Sequence, residues 1–370
     1  YNSKTGANEK LYVPGGVEIT FTLVDNGNDT YLLTYVISEI PVVQPTLKLN
    51  YGTVSFESEI MYNIYFNASE LDDVVEMGMI TFDSQLTNGT IADAVKVYSD
   101  YSTDGTLYMV ATEGISAKYI GDQMWFKIYA KLSDGSYVYT TVNYYSAVRY
   151  ANSILSRTSS SSYSKALVVA MLNYGAEAQL YFGHNTDSLM NAGLTAQQQA
   201  LVAAYDEAMV DSVQGVDTSK TSLITFDGTS YTKRYPSVSF DSAFSLNFYF
   251  TTANVPEGEV RMYYWTLDDY NAATTLKPSN ATGMMVMTET SLENQYWGEV
   301  PDIAAKKLDE TVYVAGFYTY NGVTYSTGLL NYSIGKYCEG IAAKDTSTQQ
   351  ALAQATAVYG YYAKEYFKNL

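Results

Sequence analysis

The sequence predicts an α+β fold, two tandem repeats of a β-sandwich followed by a small helical cluster, in a bilobed arrangement. Three observations predict it. The chain repeats itself once, at an offset near half its length. In each half, alternating strand-like runs come first and helical periodicity follows. Residue pairs with the chemistry of tight hairpin turns separate the strands. Strands segregated from helices are the pattern of α+β proteins.

The repeat is direct. Val54-Ser-Phe-Glu-Ser-Glu-Ile-Met-Tyr-Asn-Ile-Tyr-Phe66 returns as Val238-Ser-Phe-Asp-Ser-Ala-Phe-Ser-Leu-Asn-Phe-Tyr-Phe250. Ala117-Lys118 with Asp122 returns as Ala305-Lys306 with Asp309. Tyr145-Ser-Ala-Val-Arg-Tyr150 answers Tyr332-Ser-Ile-Gly-Lys-Tyr337, and Asn173-Tyr-Gly answers Val358-Tyr-Gly. The offset stays between 184 and 188, so this is a duplication of a structural unit.

In the first half, strands are expected over Val17–Leu23, Tyr31–Ile37, Phe56–Phe66, Met124–Leu132 and Tyr137–Tyr144. In the second they are expected over Leu223–Phe226, Phe240–Phe250, Val260–Leu267, Met284–Thr288, Thr311–Tyr318 and Thr324–Asn331. Asn26-Gly27, Asp134-Gly135 and Asn321-Gly322 supply the positive φ of two-residue hairpin turns. Helices are expected over Ser146–Ser156, Lys165–Phe182, Thr195–Val213, Ile334–Ala343 and Thr348–Lys368. Gly183 suits a C-cap and Thr195 an N-cap. Lys165–Phe182 is apolar on nearly every face and is expected to pack, buried, on the sandwich of its own half. The first lobe is expected over 1–214, with its sandwich at about 1–145, and the second over 215–370, with its sandwich at about 221–332.

Composition narrows the function. The 370 residues carry 21 Lys+Arg against 39 Asp+Glu, a net charge of −18. That charge opposes nucleic acid and anionic membranes, and it favours a monomer. The sequence contains no apolar run of spanning length. One Cys and one His, Cys338 and His184, leave no intramolecular disulfide and no Cys/His zinc site. Absence of disulfides is usual in the cytosol and compatible with an extracellular protein of an anaerobe. The sequence opens at Tyr1 with no charged and apolar regions of a signal peptide, and a signal peptide, had one existed, is expected to have been removed. No cofactor is expected. Tyrosine, at 38 residues, outnumbers all basic residues together. Surface tyrosines offer a flat apolar ring and a hydroxyl, which match the CH-rich faces and hydroxyl edges of sugars. Tyrosine is also simply favoured in strands.

Gly114-Ile-Ser-Ala-Lys118, a strand hairpin, Tyr145-Ser-Ala-Val and Met171-Leu-Asn-Tyr-Gly-Ala-Glu-Ala-Gln-Leu-Tyr-Phe-Gly183, then Asn185-Thr-Asp-Ser-Leu189, resemble a module of surface proteins of Gram-positive gut bacteria. Within that group the chain looks most like the starch adherence system proteins of ruminococcal amylosomes. The resemblance implies an extracellular or cell-surface, non-catalytic protein that captures α-1,4-glucan, as starch or maltooligosaccharide. It also implies a place in a multi-protein complex, reached through a segment outside this chain. The second half departs from the motif at Val358-Tyr-Gly-Tyr-Tyr, and the motif carries over no binding residues.

Candidate ligand-binding residues are those that break the repeat or sit in polar, aromatic turns. Trp297 and Tyr296 fall in Glu293-Asn-Gln-Tyr-Trp-Gly-Glu299, read as an inserted loop before Pro301. Trp265 and Tyr264 end a strand that runs into Asp268, Asp269 and Tyr270. Trp125 alternates with Met124 and Phe126 inside a strand, and Tyr98 and Tyr101 precede the turn Thr103-Asp-Gly105. For each, the alternative is an ordinary core or strand-end aromatic. Asp25-Asn-Gly-Asn-Asp29 has alternating oxygen ligands of the kind calcium takes, but reads better as a hairpin turn. His184 has no nucleophile motif near it and reads as a helix-end residue.

Three functions compete. A glycan-binding module is expected first. A surface adhesin for a protein partner is second, since sandwiches host many functions. A glycoside hydrolase is third, because Asp268 and Asp269, as strand neighbours, would point to opposite faces.

Overall fold

The computed structural model describes residues 17–25, 27, 31–39, 47–56, 59–221, 236–240, 243–344 and 347–370. The expected strand Leu223–Phe226 lies outside the described residues, as does most of the calcium candidate Asp25–Asp29. Two compact units are separated at Thr46/Leu47. In the first, β1 (Val17–Asp25) pairs antiparallel with β2 (Tyr31–Glu39), from Val17 opposite Glu39 to Asp25 opposite Tyr31.

The second unit, Leu47–Leu370, contains the duplication. Its first half runs through β3 (Lys48–Ser55), β4 (Met61–Asn67), β5 (Val74–Phe82), β6 (Lys96–Tyr98), β7 (Ser102–Thr103), β8 (Tyr108–Ala111), β9 (Met124–Leu132), β10 (Tyr137–Tyr139) and β11 (Asn143–Tyr145). Helices α1 (Ala147–Ser156), α2 (Ser162–Phe182) and α3 (Ala196–Gln199) follow. The second half runs through β12 (Ser237–Ser239), β13 (Phe244–Thr251), β14 (Arg261–Trp265), α4 (Leu267–Ala272), β15 (Gly283–Val286), β16 (Thr288–Glu289), β17 (Gln295–Ile303), β18 (Val312–Tyr320), β19 (Val323–Ser326) and β20 (Leu330–Tyr332). It closes with α5 (Ile334–Ala342) and α6 (Thr348–Lys368).

The repeat reappears in the sheets. Each half has one sheet ordered β3-β4-β8-β7 or β12-β13-β17-β16. Each has a second, β10-β9-β5-β6 or β19-β18-β14-β15, to which β11 or β20 adds along β9 or β18. All pairings are antiparallel. Alternation decides which side is buried. Tyr62, Ile64 and Phe66 of β4 meet Met79, Phe126 and Ile128 of the facing sheet. Leu246, Phe248 and Phe250 of β13 meet Met262 and Val314 in the second half. Full burial of one such side chain contributes about 1.5–3 kcal/mol.

Two strands stand where none was expected. β5 gives no clean signal, because its apolar run Val74–Phe82 is interrupted by Glu76, Gly78 and Thr81. Gly78 is required there: a Cβ would strike the Tyr98 carbonyl and the Tyr129 ring. β17 replaces the expected loop and is the counterpart of β8, since Tyr249 faces Trp297 as Tyr65 faces Met109.

The helices obey their caps. Ser146, Ser161, Thr195, Ser333 and Ser347 each accept a bond from a first-turn N–H. Gly183 ends α2 with φ at 69°. Beyond Thr195 the helix lasts only from Ala196 to Gln199, and Thr195–Val213 is otherwise irregular apart from a short 3₁₀ turn at Glu207–Met209. Helix α2 packs against α6 of the other half as well as its own half's elements. Tyr174 of α2 stacks on Tyr359 of α6, with centroids 5.3 Å apart and planes 6° from parallel. One hydrophobic core therefore runs from Leu47 to Ala363, and the expected boundary at 214/215 does not divide two cores. No helix among the described residues is long and apolar enough to cross a membrane.

Candidate functional site

The expected aromatic residues separate into sealed and accessible groups. Trp265 is wholly buried. It packs with Tyr270, Leu276, Tyr313, Ala315 and Phe317, and its indole N–H donates to Asn280 Oδ1 at 3.1 Å. The residues that follow it form α4, which folds back over the outer face of β14 and β18. Tyr270 thereby stacks on Tyr313, with centroids 3.5 Å apart, and its hydroxyl accepts the Asp217 N–H at 2.7 Å. Asp269 is not at a strand end. Its carboxylate accepts from Thr266 Oγ1 at 3.1 Å and from Thr282 Oγ1, tying α4 to the turn before β15. Tyr264 points to the inner side, its ring lying where a Cβ on Gly283 would be; burial raises its phenol pKa. All four take part in holding the fold, and they do not come together on one aromatic face: Trp265 and Tyr270 are buried, Tyr264 turns inward and Asp269 is exposed. A strand-end Trp and a Trp under a helix look alike in sequence, because the cover is set by α4.

Trp125 and Tyr98 are also supporting residues. Trp125, half-buried, packs at 5.3 Å against Tyr144 and on the small cluster of Ile80, Phe82 and Tyr129. Tyr98 is half-buried against the main core, and burial raises its pKa. Tyr101 is exposed, but lies in a different sheet neighbourhood, edge-on to Tyr108 at 5.5 Å. Tyr98 and Tyr101 therefore do not share a platform.

Trp297 remains. It sits in β17, between Thr288 of β16 and Tyr249 of β13 as direct cross-strand neighbours. Side chains so paired have Cβ atoms about 5 Å apart on one face. Tyr296, its chain neighbour, points the opposite way, toward the core, and burial raises its pKa. Adjacent strand residues alternate, so Trp297 and Tyr296 do not form one surface. The partner of Trp297 is Tyr249, half-buried like Trp297 itself.

The outer face of β12-β13-β17-β16 has further order. The Trp297 indole N–H donates to Asn247 Oδ1 at 3.2 Å, one pair diagonally along the sheet. Asn247 Nδ2 donates in turn to Ser239 Oγ at 3.0 Å. The indole thus leans across the sheet and is pinned there. Glu299, opposite Asn247, accepts from Ser245 Oγ. Rings and carboxylate share this side of the sheet half-buried, while the Asn247 amide and the Ser245 hydroxyl lie buried beneath them. Tyr249 and Asn247 were missed by the sequence reading, which looked for residues that break the repeat. Their signal was that they persist in it, at outward positions.

Another cavity, about 560 Å³, lies in the first half among Asp122, Arg149, Asn152, Gln179, Asn185 and Met190. Several of its polar groups already have partners. Asp122 accepts from Asn185 at 2.9 Å and pairs with His184 Nε2 at 2.8 Å. Gln179 Oε1 accepts the Met190 N–H at 2.9 Å, and Arg149 donates to Asn143 at 3.0 Å. His184 is a fastening at the end of α2. Neither the protein-family models nor the curated proteins compared with the chain match it.

Proposed function

We propose that this chain binds a neutral polysaccharide without cleaving it, and that its ligand is an α-1,4-glucan held on the outer face of β13 and β17. The observation that carries the reading is the pinned, half-buried Trp297 beside Tyr249, with Glu299 and Thr288 on the same side of the sheet. A flat ring stacks on the CH-rich face of a sugar, and fixed ring orientation lowers the ordering cost of binding. Glu299 and the exposed Thr288 hydroxyl answer sugar hydroxyls at the rim; bonds to a charged acceptor are the stronger ones. The −18 net charge is compatible with an uncharged ligand and opposes polyanions. The choice of α-1,4-glucan, and a place at the cell surface in a starch-binding assembly, rest on the resemblance to starch adherence system proteins.

Affinity electrophoresis in native gels containing amylose, xylan or cellulose tests this. The expected result is retardation in amylose that Trp297→Ala abolishes. Equal mobility with and without amylose, or a Trp297→Ala chain retarded like its parent, would sink the proposal.

A further inference from the structure

The first half presents a second aromatic face on the corresponding sheet. β4 turns Asn63 and Tyr65 outward between buried Tyr62, Ile64 and Phe66. An offset of 184 puts them at Asn247 and Tyr249. Inward residues of a duplicated strand must stay apolar to keep the core. Outward ones are freer to drift where they are exposed, because surface substitutions are nearly neutral to stability; Asn63 and Tyr65 are half-buried, and Asn247 is buried. The other outward residues of β4 have drifted: Met61 corresponds to Ser245 and Asn67 to Thr251. Only the Asn–Tyr pair persists. Strand propensity accounts for a tyrosine but not for an asparagine, which strands disfavour.

The surroundings of that pair are also alike. Each tyrosine is met by a second aromatic residue directly across the sheet: Tyr51 of β3 for Tyr65, Trp297 of β17 for Tyr249. Tyr51 and Tyr65 stack with centroids 4.6 Å apart and planes at 22°. Each asparagine donates to a hydroxyl on the adjoining edge strand, Asn63 to Thr53 at 3.5 Å and Asn247 to Ser239 at 3.0 Å. Tyr51 is 51% exposed. Tyr65 takes one face of its ring. Met109 stands opposite Tyr65 where Trp297 stands opposite Tyr249, so this face lacks an indole.

We infer that the outer face of β3 and β4, centred on Tyr51, Tyr65 and Asn63, is a second site for the same neutral glucan, which makes the chain bivalent. The inference rests on the reading of the Trp297 face. Without an indole it is the weaker of the two sites. Both are fixed to one core.

Calorimetric titration with maltoheptaose, with amylose gels in parallel, tests it. Two unequal sites per chain are expected. Tyr51→Ser removes the weaker and Trp297→Ala the tighter, and on amylose each single variant keeps part of the retardation while the double variant runs freely. Tyr51 lies half-exposed on an edge strand, and Tyr65→Ser provides a second route to the same loss; unchanged circular dichroism and melting certify the fold. One site in the parent, with affinity unaltered in both tyrosine variants, overturns bivalency and leaves the Trp297 site intact. No binding of maltoheptaose or amylose at all overturns both.

Discussion

Trp265 and Trp297 are each one residue of an alternating strand, and each indole N–H is bonded to an asparagine. Their roles differ because α4 covers one face and nothing in the described fold covers the other in the same way. Substitution should separate them. Trp265→Ala leaves a cavity in a sealed cluster and should cost about 3–5 kcal/mol of stability, read as a lower urea midpoint. Its retardation in amylose, measured below the transition, should match the parent. Trp297→Ala should do the reverse. If Trp265→Ala lost amylose binding while still folded, the assignment of its side chain to structure would be wrong. At this scale the sequence located the aromatic residues but not their exposure. Trp297 lay in a window with Asn294, Gly298 and Pro301, residues that weaken a strand signal. Its facing partner lay in another strand altogether.

Helices α2 and α6 show how the duplication closes on itself. Equivalent residues, Tyr174-Gly175 and Tyr359-Gly360, occupy corresponding places in the two helices. A Cβ on Gly360 would come within 2.9 Å of Leu308 Cδ1 and 3.2 Å of the Ala305 carbonyl. Gly360→Ala gains about 1 kcal/mol of helix propensity and loses about 1–3 kcal/mol to overpacking. Net destabilisation is expected, and a raised melting temperature would contradict the close approach. Lys364, on the same helix, donates to Asp211 at 2.7 Å and to Asp309 at 2.9 Å. The bond from Lys364 holds the Asp211 carboxyl below its usual pKa, outweighing burial. A depressed carboxylate contributes stability above its unfolded pKa, about 3.9, and loses it as pH falls through the folded value. The urea midpoints of the parent and Asp211→Asn should therefore differ near neutrality and converge in acid. A gap that widens in acid would reverse the sign. The caps Gly183 and Thr195 were legible in sequence because a cap is local and needs only its own first or last turn; the start of α2 at Ser162, capped by Ser161, lies three residues before the expected Lys165. The shortness of α3 was not legible, since nothing local stops a pattern that tertiary packing declines to support.

For the whole molecule, contact between equivalent residues of the repeats makes the junction self-complementary, like the interface of a two-fold dimer. Half of the chain should then seek a second copy of itself. A chain limited to residues 47–214 would expose the side of α2 that α6 covers. It should associate into dimers that place Tyr174 against Tyr174, with sedimentation as the readout and Tyr174→Ala as the control. A stable, folded monomer would show that the shared core is dispensable.

The amino-acid sequence by itself determined the duplication, the main strands ahead of the main helices in each half, the hairpin turns at Asp134-Gly135 and Asn321-Gly322, and the caps at Gly183 and Thr195. Each of these is set by periodicity or by contacts within a few residues. Tertiary structure alone decided that both halves share one core. It also decided that α4 seals Trp265, and that Trp297 meets Tyr249 on the outer face of β13 and β17. Those outcomes depend on which distant surfaces come together, and burial is a property of the covering element as much as of the residue covered.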